Sequence, residues 1–423
     1  MIPARRAIQR SPEARLLAVD TAGQINQILR ADFVTLLRSG DLVIANDAAT
    51  LPASLRGSHV ATGGAIEVRL AGWPSAAFDD PRCFDAIVFG AGDYHQRTED
   101  RPSPPVLQPG DRLALGPLSA RIEALLGHPR FATLRFDGTP DAIWADLASH
   151  GKPIQYAHVP VPLKLWDVWT PIAGAPVAFE PPSAGFALDW RSLALMRARG
   201  IRFATLTHAA GISSTGDPEL DNLLPLDEPF SIPAMTAAAV NAARAHRGRV
   251  IAIGTTVVRA LEAAGAHGGK VRCGSGVATG RIGAGTKLRI VDAILTGTHE
   301  PGTSHHALLG AFLDETRLSR IDAELAANHY RTHEFGDSLL IECGAGSETS
   351  RPPLPFRPTA RPRREVQHVV SLPARHTLEG RRLICTDYEC LSLRPIPIFW
   401  LKRGCRRRDE PVELAGWRGA FGQ

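Results

Sequence analysis

The run RVIAIGTTVVR, Arg249 to Arg259, joins an apolar stretch to a glycine, two threonines and the start of a helix-like pattern. That order predicts a buried strand, a tight turn at Gly254 and a helix whose N-terminus is capped by Thr255 or Thr256. The first-turn N–H groups of such a helix face outward over the carboxyl end of the strand, where they favour a carboxylate or phosphate. Arg259, about one turn in, is placed to add a charge-assisted bond to the same anion. A capped strand–helix turn that holds no ligand accounts for the same residues equally well. The run is neither a P-loop nor a dinucleotide fingerprint: it has no GK[ST], and no G-x-G-x-x-G follows the strand.

Histidines are the other residues with chemical reach. His208 ends the β-type run IRFATLTH, where a strand delivers it to a sheet edge either as a general acid/base or as a structural histidine. His299, in THEP, sits in a turn after a second strand-like run. His305 and His306, with His299 and Glu300, invite a metal reading, but their spacing forms no helical i, i+4 pair, so no metal is expected. Thr303 or Ser304 is placed to cap the helix that follows.

The elements that must carry these residues change character along the chain. After short strands and turns, GDLVIAND (Gly40 to Asp47) reads as an apolar strand. From about Arg56 to Phe136, IEVRLAGW, CFDAIVFGAG, DRLALG, SARIEALLG and FATLRFDG are short β-rich runs divided by glycine, proline or aspartate, which predicts a small antiparallel barrel or sandwich. From about Leu188, helix and strand patterns alternate: DWRSLALMRARG, IRFATLTHA, SIPAMTAAAVNAARAHRG, RVIAIG, TTVVRALEAAG, KLRIVDAILTG and SHHALLGAFLDETR. Such alternation predicts an α/β domain with a mainly parallel sheet. The expected organisation is a discontinuous α/β domain at 1–55 and 139–345, a barrel domain inserted at 56–138, and a disordered, proline- and arginine-rich basic tail at 346–423.

Composition bounds the class without naming a function. The 423 residues are 44% hydrophobic and 22% charged, ample for a sizeable core, and 39 glycines with 33 prolines favour many short elements. The net charge of +5 resides in the tail, which carries about eight more basic than acidic residues, so it does not mark the body as a nucleic-acid binder. Six scattered cysteines without C-x-x-C spacing give neither a zinc site nor a disulfide framework. No apolar run is long enough to span a bilayer, and the N-terminus lacks a signal-peptide h-region; a cytoplasmic protein with no membrane association is expected.

Six collinear blocks resemble the S-adenosylmethionine:tRNA ribosyltransferase-isomerases of queuosine biosynthesis. RVIAIGTTVVRALE is similar to that family's V-G-T-T-x-x-R-x-L-E, and GDLVIANDAATLPASLRG to G-D-L-x-V-x-N-x-T-x-V-x-P-A-R-L. PSAGFAL (Pro182 to Leu188) resembles P-T-A-G-L-H-F, and LTH (Leu206 to His208) sits where the family has L-H-V-G. IVDAILTGTHEPGTSHH resembles V-D-x-L-x-T-N-F-H-x-P-x-S-T-L, and YRTHEFGDSLLI resembles Y-R-F-x-S-Y-G-D-A-M-L-I. The chain departs from the family at Ala187 and Leu226, which stand in place of histidines, and at Gly297, which stands in place of asparagine.

The resemblance implies an α/β domain with an inserted β-barrel. It implies transfer and isomerisation of the ribosyl part of S-adenosylmethionine onto a 7-aminomethyl-7-deazaguanine at the tRNA wobble position, with loss of adenine and methionine. S-adenosylmethionine is then a co-substrate, no further cofactor is expected, and tRNA is the partner of a monomeric enzyme. Carried over by motif, His208, His299 and Glu228 are the catalytic candidates. Gly254, Thr255, Thr256, Arg259, Ser183, Gly185 and Thr303 are the substrate-binding ones. The altered motif positions keep two alternatives open: a transferase that uses S-adenosylmethionine with another acceptor, or an inactive RNA-binding paralogue.

Overall fold

The computed structural model describes residues 1–266 and 268–343. The tail expected at 346–423 lies outside the described residues. β1 (Arg15–Val19) and β2 (Ile25–Leu29) pair antiparallel, and β3 (Leu42–Asn46) carries GDLVIAND. Next come β4 (Ser54–His59), β5 (Ala65–Gly72), β6 (Cys83–Phe89), β7 (Arg112–Leu115), β8 (Leu118–Leu125) and β9 (Phe131–Phe136). These six close into an antiparallel barrel in the order β8-β9-β6-β5-β4-β7, so none of them is left as an open edge. Alternation sorts the side chains of β5: Ile66, Val68 and Leu70 enter the barrel core with Phe84 and Phe136, while Glu67 and Arg69 take the other face.

Helix α1 (Pro140–His150) starts at Thr139, whose hydroxyl accepts the Ala142 N–H, and leads the chain out of the barrel. The rest alternates: α2 (Trp190–Ala198), β10 (Arg202–His208), β11 (Glu228–Ile232), α3 (Ala234–Ala245), β12 (Val250–Ile253), α4 (Thr255–Gly265), β13 (Gly274–Ala278), β14 (Ala293–Gly297), α5 (Ser304–Leu309), α6 (Glu315–Ala327) and β15 (Ser338–Glu342). Nine strands make one sheet in the order β13-β11-β10-β3-β12-β14-β15-β1-β2. Its centre, β10-β3-β12-β14, is parallel, as is β15 against β1. The pairings β13–β11, β11–β10, β14–β15 and β1–β2 are antiparallel, so the sheet is mixed around a parallel centre.

The central strands are continuous apolar runs because both faces are covered. Leu42, Ile44 and Ala252 meet Val240, Val257 and Leu261 on one side, and Val43, Ala45 and Ile253 meet Phe33, Leu188 and Met196 on the other. Each large side chain buried there contributes about 1.5–3 kcal/mol. The four parallel strands end along one edge of the sheet, and in open α/β sheets that edge is where ligands bind.

Four elements differ from the sequence expectation. SHHALLGAFLDETR divides into α5 and α6, because Gly310 ends the first and Asp314 caps the second through the Arg317 N–H. KLRIVDAILTG is a strand only from Ala293; before it, the Ile290 and Val291 N–H groups bond the Glu262 carboxylate instead of a neighbouring strand. β11 and β13 were not expected, since proline and glycine interrupt EPFSI and GSGVA. Among the described residues no helix is long and apolar enough to cross a membrane.

Candidate active site

The turn from β12 into α4 stands at the centre of this edge. Gly254 has φ +96°, a left-handed conformation that a side chain would strain, and a Cβ there would lie 3.4 Å from the Ala184 side chain. The expected capping threonines are instead the first two residues of the helix. Gly254 is the N-cap, and no side chain caps α4. The first-turn N–H groups are thereby left to face outward, with Thr255 buried and Thr256 partly buried behind them. Ser183 and Gly185 belong to the single 3-10 turn Ser183–Ala187, which brings Ala184 against Gly254. Gly185 is buried, and a Cβ there would come within 2.9 Å of the Thr170 side chain.

Beside the turn lies a buried charge group. Glu228 opens β11 and Arg259 lies in the second turn of α4; the guanidinium Nη1 donates to Glu228 Oε2. Nη2 donates to the carbonyls of Leu226 (3.1 Å), Ala278 (2.9 Å) and Gly280 (3.3 Å). These Arg259 donors thus tie α4 to β11 and β13. The other Glu228 oxygen accepts the Gly211 N–H at 2.7 Å. Burial pushes the Glu228 carboxyl up against the opposing pull of Arg259.

His208 ends β10 with its ring wholly buried, parallel to Phe230 and with Nε2 3.6 Å from Glu228 Oε2. Neither ring nitrogen has a hydrogen-bond partner among the described residues. Burial, followed by the Arg259 charge, pushes its pKa down to about 3, so the ring is neutral. Its backbone is pinned to β3, where the Asn46 side chain bonds both the His208 N–H and its carbonyl at 2.9 Å.

His299 follows β14, and its Nε2 meets Thr296 Oγ1 at 2.8 Å. Its ring lies 5.0 Å from that of His305. Burial holds His299 well below the usual histidine range, helped by His305, His306 and His333. His305 is pushed down to about 4 by burial and then by Arg259, with Glu334 pulling the other way. It thus links the Glu228–Arg259 group electrostatically to a second cluster. Thr303 is the N-cap of α5, its hydroxyl accepting the His306 N–H and donating to the Glu300 carbonyl. The cap is the one expected of Thr303 or Ser304. His306 pairs with Asp322 at 2.9 Å on α6. Among the described residues, no three His, Cys, Asp or Glu side chains are grouped to hold a metal.

The second cluster was not anticipated. Tyr156, His158, Glu180 and Glu334 line one small cavity. The Tyr156 hydroxyl contacts Glu180 Oε1 and the Ser214 carbonyl, and His158 Nε2 lies 3.1 Å from Glu334. His333, at φ +68°, stacks on His158 with ring centres 4.1 Å apart, a strained backbone of the kind found at functional sites. Burial drives the Glu180 pKa up to about 7, and the Glu334 charge adds to it. Burial also acts to raise Glu334, but the bond and charge of His158 outweigh it and hold that carboxyl low. Glu334 was visible inside YRTHEFGDSLLI and Glu180 two residues before PSAGFAL, yet neither matches a motif position that announces an acid.

The family described as "Queuosine biosynthesis protein" matches residues 2–341, which span the barrel and all but the last residue of the sheet. The S-adenosylmethionine:tRNA ribosyltransferase-isomerase of Synechococcus elongatus is 32% identical over 351 residues, covering 80% of this chain and 92% of that protein. Its namesake in Sorangium cellulosum is 33% identical over 371 residues, covering 80% of this chain and 96% of that protein. A solved S-adenosylmethionine tRNA ribosyltransferase from Thermotoga maritima superposes with a TM-score of 0.41 at 19% identity, over 80% of this chain and 95% of that one. With the family match running through every element that builds the site, the chain belongs to the queuosine biosynthesis protein family.

Proposed function

We propose that this chain transfers and isomerises the ribosyl part of S-adenosylmethionine onto a 7-aminomethyl-7-deazaguanine at the tRNA wobble position. One observation carries the reading. The motif blocks are scattered over some 300 residues of sequence, yet the ends of β10, β12 and β14, the 3-10 turn at Ser183 and the segment before β15 converge on one edge of the sheet. Both substrates carry anionic oxygens, and the uncapped first turn of α4 at Gly254, Thr255 and Thr256 is suited to take one of them. His299 is neutral and stands at the mouth of the parallel strands, so it can accept a proton from the carbon activated by the neighbouring sulfonium. Glu228, fixed by Arg259 and the Gly211 N–H, and His208 behind it form the polar wall of the same site. Ala187 and Leu226 supply no acid–base group, which places that burden on the groups just named.

The reading is tested by incubating the purified chain with S-adenosylmethionine and tRNA bearing the deazaguanine, and measuring free adenine. Release that requires both substrates supports it. Release with S-adenosylmethionine and an acceptor other than tRNA would move the chain to the second alternative, and no release from folded protein would refute transfer altogether.

A further inference from the structure

Arg69, on the outer face of β5, is only 1% exposed, yet its one hydrogen bond among the described residues runs from Nε to Glu67 Oε1 at 2.8 Å. Among the described residues, its buried Nη1 has no acceptor, and neither has the buried Nη2 of Arg130. Both guanidinium carbons stand 4.7 Å from the centre of the Phe89 ring, and Arg101 stands 5.7 Å from it. Glu67 bonds Arg69 and Arg101, and Asp217 lies 3.3 Å from Arg130, so three guanidiniums face two carboxylates. Among the described residues, one positive charge and two buried donors of this group are left over. Buried donors without partners are costly and rare, and a positively charged pair of them calls for an oxyanion.

Two features tie this vacant charge to the candidate active site. Arg69 also lies under the Tyr156 ring, 5.5 Å from its centre, and Tyr156 contacts Glu180. Two residues further along β5, about 7 Å at strand spacing, the Ala71 carbonyl accepts the Ile212 N–H, next to the Gly211 that binds Glu228.

The geometry points to Arg69, with Arg130, as a carboxylate subsite that receives the methionine end of S-adenosylmethionine. Burial of Arg69 favours the slimmer occupant: a terminal carboxylate ends a slender chain, whereas a phosphodiester is flanked by two riboses. Arg130, its side chain 17% exposed, is the more accessible of the two. The uncapped turn of α4 is then left for a tRNA phosphate. This assignment rests on the reading of the chain as an S-adenosylmethionine-dependent transferase.

Calorimetric titration of the full chain with S-adenosylmethionine and with its decarboxylated form tests it. Wild type should prefer the carboxylate-bearing ligand by about 10-fold or more, the worth of a charge-assisted bond in a desolvated site. In Arg69→Met the two ligands should bind alike, and Arg69→Lys should restore part of the preference. Arg130→Met should weaken the preference in the same direction, which serves if Arg69→Met does not fold. Unchanged discrimination in folded Arg69→Met overturns the subsite, with water as the partner of these donors. Loss of tRNA affinity with a shallower salt dependence, but intact discrimination, would assign the site to phosphate and likewise overturn it. Wild type that binds no S-adenosylmethionine at all sinks the transferase reading as well, which separates the two failures.

Discussion

Glu228 on β11 and Arg259 on α4 form an ion pair with both side chains less than a tenth exposed, and it joins the antiparallel edge of the sheet to the helix that follows its central strand. A pair so placed is a lock between elements. Removing either partner leaves an uncompensated buried charge.

Glu228→Gln or Arg259→Met should therefore lower unfolding stability by about 3–5 kcal/mol. The double replacement should cost less than the sum of the singles, because neither charge is then stranded. Urea denaturation of the three variants measures both quantities. Additive losses would show that the two residues act independently.

Glu180 should make stability fall as pH rises. Its carboxyl holds a proton up to about 7 when folded, against 4.5 as its ordinary value. The stabilising contribution is fully present below 4.5 and is lost as pH climbs through about 7, at up to about 1.4 kcal/mol per pH unit. Glu180→Gln should remove that slope. An identical pH–stability profile in the variant would place the proton elsewhere.

His208 and His305 act in the opposite sense. Folding holds them neutral, with pKa values of about 3 and about 4 against 6.5. Their contribution is present above 6.5 and is lost as pH falls toward 4 and then 3. Thermal unfolding between these limits should show a shallower acid limb in His208→Gln than in the wild type. A limb of equal steepness would mean that the ring is not the group taking up the proton.

Gly254→Ala should destabilise the chain by about 1–2 kcal/mol, because the left-handed backbone strains any side chain. Crowding of Ala184 from 3.4 Å away should also tilt the first turn of α4, and S-adenosylmethionine or tRNA binding should weaken beyond the stability loss. Calorimetry at a temperature where the variant is fully folded separates the two effects. Full affinity there would remove this turn from the binding site.

Much of this architecture was legible in the sequence because its causes are local. The glycine- and proline-punctuated runs of the barrel, the LVIA and VIAI strands, and the glycine at 254 each announce their conformation. β11 was not, since EPFSI is a strand only through its ladders to β10 and β13. Within the candidate site, motif positions point to His208 and Glu228, but their mutual distance and the bonds of Arg259 are products of tertiary packing. The Tyr156, Glu180 and Glu334 cluster joins three distant segments, and Arg69 was read only as part of a β-rich run. Side chains gathered by topology leave no spacing signature.

The central claim is tested most directly by mass spectrometry of the wobble nucleoside after tRNA bearing 7-aminomethyl-7-deazaguanine is incubated with the purified chain and S-adenosylmethionine. The nucleoside should gain the epoxycyclopentanediol derived from the ribosyl group, with adenine and methionine released in step. An unchanged nucleoside, with folded protein and S-adenosylmethionine bound, would contradict the transfer.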